Sequence, residues 1–239
     1  MRKKDLIAAL IAKEEMLTEE QEIWIVAYNY VDLLSQYLEY CCISPKAIEK
    51  MIKENHLNIF KAFIKQRKLE NYQEVMIVEN KLTDMFNLYI KSNHLSIFAQ
   101  QRLIKPEYEE LFDQYIITHH LDPYIEMFIV QQKSYDKLDK YLKHQVLSET
   151  PERELFKPEH RAYFFKYIQN ERLLPSNEPI FFTKFIDRYI ASYCEDCFLE
   201  PASQFALIAL GKKDIFVKYH NQRGTHEEVK IVAQKLGWI

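Results

Sequence analysis

An aromatic residue followed by an aliphatic one, with a further aliphatic five positions on, returns along this chain every 26 residues. The series runs Tyr37-Leu38 with Ile43, Phe63-Ile64 with Leu69, Tyr89-Ile90 with Leu95 and Tyr115-Ile116 with Leu121. It continues in register through Tyr141, Tyr167 and Tyr193 to a weakened Tyr219-His220 with Thr225. Three residues before each aromatic stands another apolar column: Leu34, Phe60, Phe86, Phe112, Leu138, Phe164, Ile190 and Phe216. Nine and eight residues earlier again comes an apolar pair, from Ile25-Val26, Met51-Ile52 and Ile77-Val78 to Leu207-Ile208. Apolar positions at this spacing predict two short helices per unit, and a fixed period predicts a repeat architecture.

The units start at 19, 45, 71, 97, 123, 149, 175 and 201, with a half-unit at each end. Residues 1–18 fit a second helix through Ile11 and Leu17. Residues 227–239 fit a first helix, with Val229, Val232, Ala233 and Leu236 at helical spacing and Trp238 and Ile239 available to cover the last core layer. Ser44-Pro45 and Asp122-Pro123 place a capping oxygen before a proline at the first helical position, and Asn71 with Glu74 reads as a capping box. Helices of two to three turns do not survive alone, so each unit must bury its apolar stripe against its neighbours. The expected fold is an all-α solenoid of stacked antiparallel helix pairs, about eight 26-residue repeats between terminal half-repeats, forming one domain over 1–239.

In the second unit, the segment from Met51 to Ile64 resembles the helix-loop-helix of an ankyrin repeat, with Asn55-His56 where that family places a Gly-His dipeptide. Leu210-Gly211-Lys212 before Ile215-Phe216 is similar and keeps the glycine. The period is about seven residues shorter than the ankyrin length, and the Thr-Pro-Leu-His opening is absent. The resemblance therefore implies a stacked helix-pair scaffold with a binding surface, without β-hairpin fingers and without catalytic residues.

Composition narrows the function. At 239 residues and 48% hydrophobic the chain can bury a large core, and three glycines leave little for phosphate-cradling loops. A net charge of −3 and a pI near 6.3 lack the basic excess that tracks nucleic-acid phosphates. The start, Met1 to Lys4 followed by an apolar stretch from Leu6 to Ala12, imitates a signal peptide. Asp5 interrupts that stretch and Lys13-Glu14-Glu15 ends it early, so a cytoplasmic protein is expected. No apolar run approaches the roughly 20 residues that span a bilayer.

Candidate chemistry is sparse. Cys194-Glu-Asp-Cys197 has the spacing of half a zinc or redox site, but Cys194 falls in a core column and Cys41-Cys42 lies six units away, so core and surface thiols are expected. The turns after the second helices are polar and partly cationic. Arg67, Lys68, His94, His119 and His120 are the candidate partner-binding residues on this ridge; a solvated turn complementing the helix dipole is the competing reading. Glu22, Glu74, Glu126, Glu152 and Glu178 suit the opposite helix end, and the tyrosine ladder is read as core with hydroxyls reaching the rim. No catalytic constellation, metal set or cofactor motif is present in the sequence. The expected function is a non-catalytic scaffold for a protein or peptide. An enzyme or nucleic-acid-acting protein on the same scaffold, and a self-assembling protein motivated by Trp24, Tyr28, Tyr72 and Tyr124, are the alternatives.

Overall fold

The computed structural model describes residues 2–239, so Met1, which opens the signal-like start, lies outside the described residues. The fold is all-α, with no strand among the described residues. Helices begin where the period places them. First helices are Glu19–Ala27, Pro45–Lys53, Asn71–Glu79, Ile97–Leu103, Pro123–Gln131, Glu149–Glu154, Glu178–Lys184 and Pro201–Ala209. Only the seventh starts late, because Pro179 fits the first turn of a helix and not its interior. Each is followed by a second helix, from Val31–Leu38, Leu57–Ile64, Thr83–Ile90 and Glu109–Ile116 to Lys213–Arg223. Lys3–Ile11 and Glu227–Lys235 are the terminal half-repeats.

Packing divides the chain into two compact units. One runs to Ile125 and adds Lys143–Gln145; the other comprises Glu126–Leu142 and Val146–Ile239. Within the first, Glu19–Ala27 packs on Pro45–Lys53, that helix on Asn71–Glu79, and that on Ile97–Leu103, while the second helices stack in a parallel layer of their own. Within the second, Glu178–Lys184, Pro201–Ala209 and Glu227–Lys235 stack in the same way. The apolar columns form the seam between layers: Leu34, Phe60, Phe86, Phe112, Leu138, Phe164, Ile190 and Phe216 are all buried. At the C-terminal end Trp238 packs edge-on against Phe216 at 5.8 Å between ring centroids, whereas Leu236 is 54% exposed and covers nothing.

Most helix pairs turn through one left-handed residue, at Asn29, Asn55, Lys81, Lys133 and Gly211. The next amide closes back over the helix end, as His56 N–H does on the Met51 carbonyl at 3.0 Å, which satisfies carbonyls the helix leaves open. Repeats four and six depart from this. Lys105-Pro106-Glu107 and Lys157-Pro158-Glu159 replace the left-handed turn with single 3-10 turns, Pro106–Tyr108 and Pro158–His160.

The glutamates placed by sequence at the starts of first helices lie in those first turns, but buried, and they meet the tyrosines there. Tyr37 donates its hydroxyl to Glu22 Oε1 at 3.0 Å, and Glu22 Oε2 accepts the Ser44 N–H at 2.7 Å. Tyr89, Glu74 and Ser96 repeat the arrangement at 2.8 and 2.6 Å, and Tyr141, Glu126 and Ser148 at 2.6 and 2.8 Å. Tyr167 and Glu152 repeat it with the Leu174 N–H. The tyrosine oxygen also accepts an amide from the preceding repeat, as from Leu17 to Tyr37 at 3.2 Å and from Leu173 to Tyr193 at 3.1 Å. Each hydroxyl is therefore spent inside the stack and not at the rim, and such a node joins a repeat to the one before it. Desolvating a carboxylate is expensive, and three accepted or donated bonds per node are what make these tolerable.

The node has two neutral variants. Gln100 and Gln204 replace the carboxylate; Gln100 Oε1 accepts the Asp122 N–H at 2.7 Å while its Nε2 donates to Leu95 O at 2.8 Å and faces the Tyr115 hydroxyl at 3.4 Å. In the second repeat both partners are apolar together, Ile48 with Phe63. The Glu70 N–H that Ile48 cannot hold is taken at 2.9 Å by Gln73. The capping box of the third repeat is thus Glu70 with Gln73, one residue before the sequence reading, since Glu74 is committed to its node.

Tyr89→Phe is expected to lower stability by about 1–3 kcal/mol, because it leaves a buried carboxylate oxygen unpaired. The same change in a Glu74→Gln background should lose less, and urea unfolding of the double-mutant cycle checks this. Burial pushes the Glu152 and Glu178 carboxyls above the usual carboxylate range. A folded-state pKa above the unfolded one contributes stability that is present in acid and lost as pH rises through the folded value. Lowering the pH from 7 to 5 should therefore raise the urea midpoint of the wild type relative to a Glu152→Gln, Glu178→Gln variant.

Candidate partner-binding surface

The first helices bury their third and fourth residues, as with Gln73 and Glu74 or Ala99 and Gln100, so their second residue faces outward. In repeats three to five that position is aromatic: Tyr72, Phe98 and Tyr124 are 40%, 61% and 61% exposed. Elsewhere it is Glu20, Lys46, Thr150, Ala202 and Glu228, with Ser176 at the equivalent position ahead of the late-starting seventh helix, so the aromatic face is confined to the middle of the repeat series. Between the third and fourth first helices lies a groove of about 340 Å³, lined by Asn71, Tyr72, Val75, Phe98, Gln101 and Arg102. Arg102 Nε pairs with Glu79 at 2.9 Å and braces one end of it. Exposed apolar area of this kind, with polar groups at its margin, suits recognition of apolar side chains.

The sequence reading noted Tyr72 and Tyr124 as scattered surface aromatics and missed Phe98. The signal that joins them is the same 26-residue period, applied to outward positions instead of core ones. Trp24 and Tyr28, noted with them, belong to a separate cluster in which Trp24 contacts Tyr28 and Tyr30 at 4.7 and 5.0 Å. Lys3 lies over the Trp24 ring and Lys4 over Tyr30.

The ridge residues divide into two sets. Arg67 donates to the Leu38 and Cys41 carbonyls at 2.9 and 3.3 Å, so it closes the C-terminal end of the preceding repeat's second helix. Gln145 does the same for Ile116 at 2.9 Å. His119 is buried, flat on Tyr115 at 4.8 Å, with the His94 ring edge-on at 4.6 Å and Thr118 Oγ1 at 2.8 Å from Nδ1. Burial, then the neighbouring His94, lowers its pKa below the ordinary histidine value. The solvated turn expected for His119 is overridden by that stack, whereas Lys68, His94 and His120 are exposed.

Cys194 is a buried core thiol, as its column implied, pushed up to about 12 by burial and by nearby carboxylates. All four cysteines are free. No helix is long and apolar enough to cross a membrane among the described residues. Comparison with family models, with curated proteins and with solved structures finds no match to this chain.

Arg67→Ala is expected to lower stability by about 1–2 kcal/mol through the two carbonyls it leaves open, while Lys68→Ala stays within about 0.5 kcal/mol of wild type. Thermal and urea unfolding of the two variants distinguish a structural cation from a free one.

Proposed function

We propose that this chain is a non-catalytic helical-repeat scaffold that binds a protein segment along the outward face of its third to fifth first helices. The exposed column Tyr72, Phe98 and Tyr124, with the groove between Tyr72 and Phe98, carries this reading. Packed helices lie about 8–10 Å apart. A segment in the polyproline II conformation, which rises about 3.1 Å per residue and returns to the same face every third residue, puts apolar anchors at every third position at the spacing of the aromatic rungs. The ankyrin-like reading of the repeat is part of the same proposal, supported by the left-handed Asn55 and Gly211 at the turns where that family places glycine.

Selection of a random peptide library against the full chain tests it. The selected peptides are expected to carry apolar anchors at three-residue spacing, and Phe98→Glu, with circular dichroism unchanged, is expected to weaken them by about 2 kcal/mol or more, roughly 30-fold. Equal binding to wild type and variant overturns the assignment. A mass that doubles with concentration only in the wild type would make a second copy of the chain the occupant.

A further inference from the structure

The 3-10 turn of the sixth repeat gathers a set of ligand atoms found in no other repeat among the described residues. A ring nitrogen of His160 and carboxylate oxygens of Glu154 and Glu159 lie within 4.8 Å of one another. Glu154 ends the first helix Glu149–Glu154, and Glu159 and His160 belong to the turn Pro158–His160, which Pro158 fixes. The fourth repeat has the same Lys-Pro-Glu turn 52 residues earlier but carries Arg102 and Tyr108 in place of Glu154 and His160. The turn geometry therefore does not by itself require these side chains.

His160 is 2% exposed, and its orientation is set by the Tyr135 hydroxyl at 2.8 Å from Nδ1. A buried imidazole held by a hydroxyl and gathered with two carboxylates is the arrangement of a metal-binding histidine and its outer partner. Lys157 Nζ holds Glu154 Oε1 at 2.6 Å, which leaves Oε2 for a second interaction. Ligand atoms about 2.1 Å from one ion stand roughly 3.4 Å apart in a tetrahedron. The present ligand atoms lie within 4.8 Å of one another, and Glu159 is exposed.

We propose that this turn is a divalent-cation site, with His160 Nε2, Glu154 and Glu159 as ligands and Tyr135 as the positioning residue. A histidine nitrogen among so few ligands favours zinc over calcium or magnesium, which take six or more oxygens. Calorimetric titration of zinc chloride into the metal-free full chain should show one saturable site. Glu159→Gln, at an exposed position, should weaken it at least tenfold without changing the circular dichroism, and Tyr135→Phe should weaken it by about tenfold or more. Cobalt loaded at the same site should give a visible spectrum without thiolate-to-metal charge transfer. Absence of saturable zinc binding, an affinity unchanged by Glu159→Gln, or a thiolate band that places the metal on cysteine would each overturn the assignment.

Discussion

A buried hydrogen-bonding node, tyrosine hydroxyl to carboxylate to backbone amide, is the interaction on which the stack depends. Glu22, Glu74, Glu126 and Glu152 each take a tyrosine from their own repeat and the amide of that repeat's last residue, which leads into the next repeat. A carboxylate in that position is costly unless both oxygens are engaged, and the tyrosine oxygen takes an amide from the repeat before, as Tyr37 does from Leu17 and Tyr193 from Leu173, so the node ties a repeat to its neighbour. The hydrophobic columns favour stacking in general, while the node fixes the register at which it occurs. The second repeat shows the constraint from the other side: when the tyrosine becomes Phe63 the glutamate becomes Ile48, and Gln73 accepts the amide left behind.

With register fixed inside, outward positions are free to vary from repeat to repeat. The second residue of each first helix is aromatic in three consecutive repeats and polar or small in the rest, which makes a localised face out of a uniform scaffold. The turns at the other end of each repeat are less free than their polarity suggests. Arg67 and Gln145 close carbonyls of the repeat before, and His119 lies in a stack with Tyr115. The sixth repeat uses its freedom differently, placing His160 and two glutamates at a turn that the fourth repeat fills with Tyr108 and Arg102.

The period made the helix pairs and core columns legible, down to helices beginning at residues 19, 45, 71, 97, 123, 149 and 201. It failed where a polar residue is buried, because charge alone argues for the surface. Glu74 was assigned to a helix end and a capping box, yet its partner Tyr89 stands 15 residues on and is visible only if the two columns are compared: wherever the glutamate or glutamine is lost, so is the hydroxyl. His119 failed for the same reason, since nothing local shows that Tyr115 offers it a ring face. Phe98 was overlooked because exposed residues were taken singly, although Tyr72 and Tyr124 stand 26 residues to either side.

Native-state hydrogen exchange at the amides that open the first helices tests the account most directly. The Ser96 N–H is bonded to buried Glu74, whereas the Thr18 N–H is held at 2.8 Å by the side chain of Gln21 in an exposed setting. Ser96 should exchange only with unfolding, as slowly as the core amide of Ile77, and Thr18 should exchange by local fraying. Exchange of Ser96 at the rate of Thr18 would contradict the claim that these nodes hold the repeats in register.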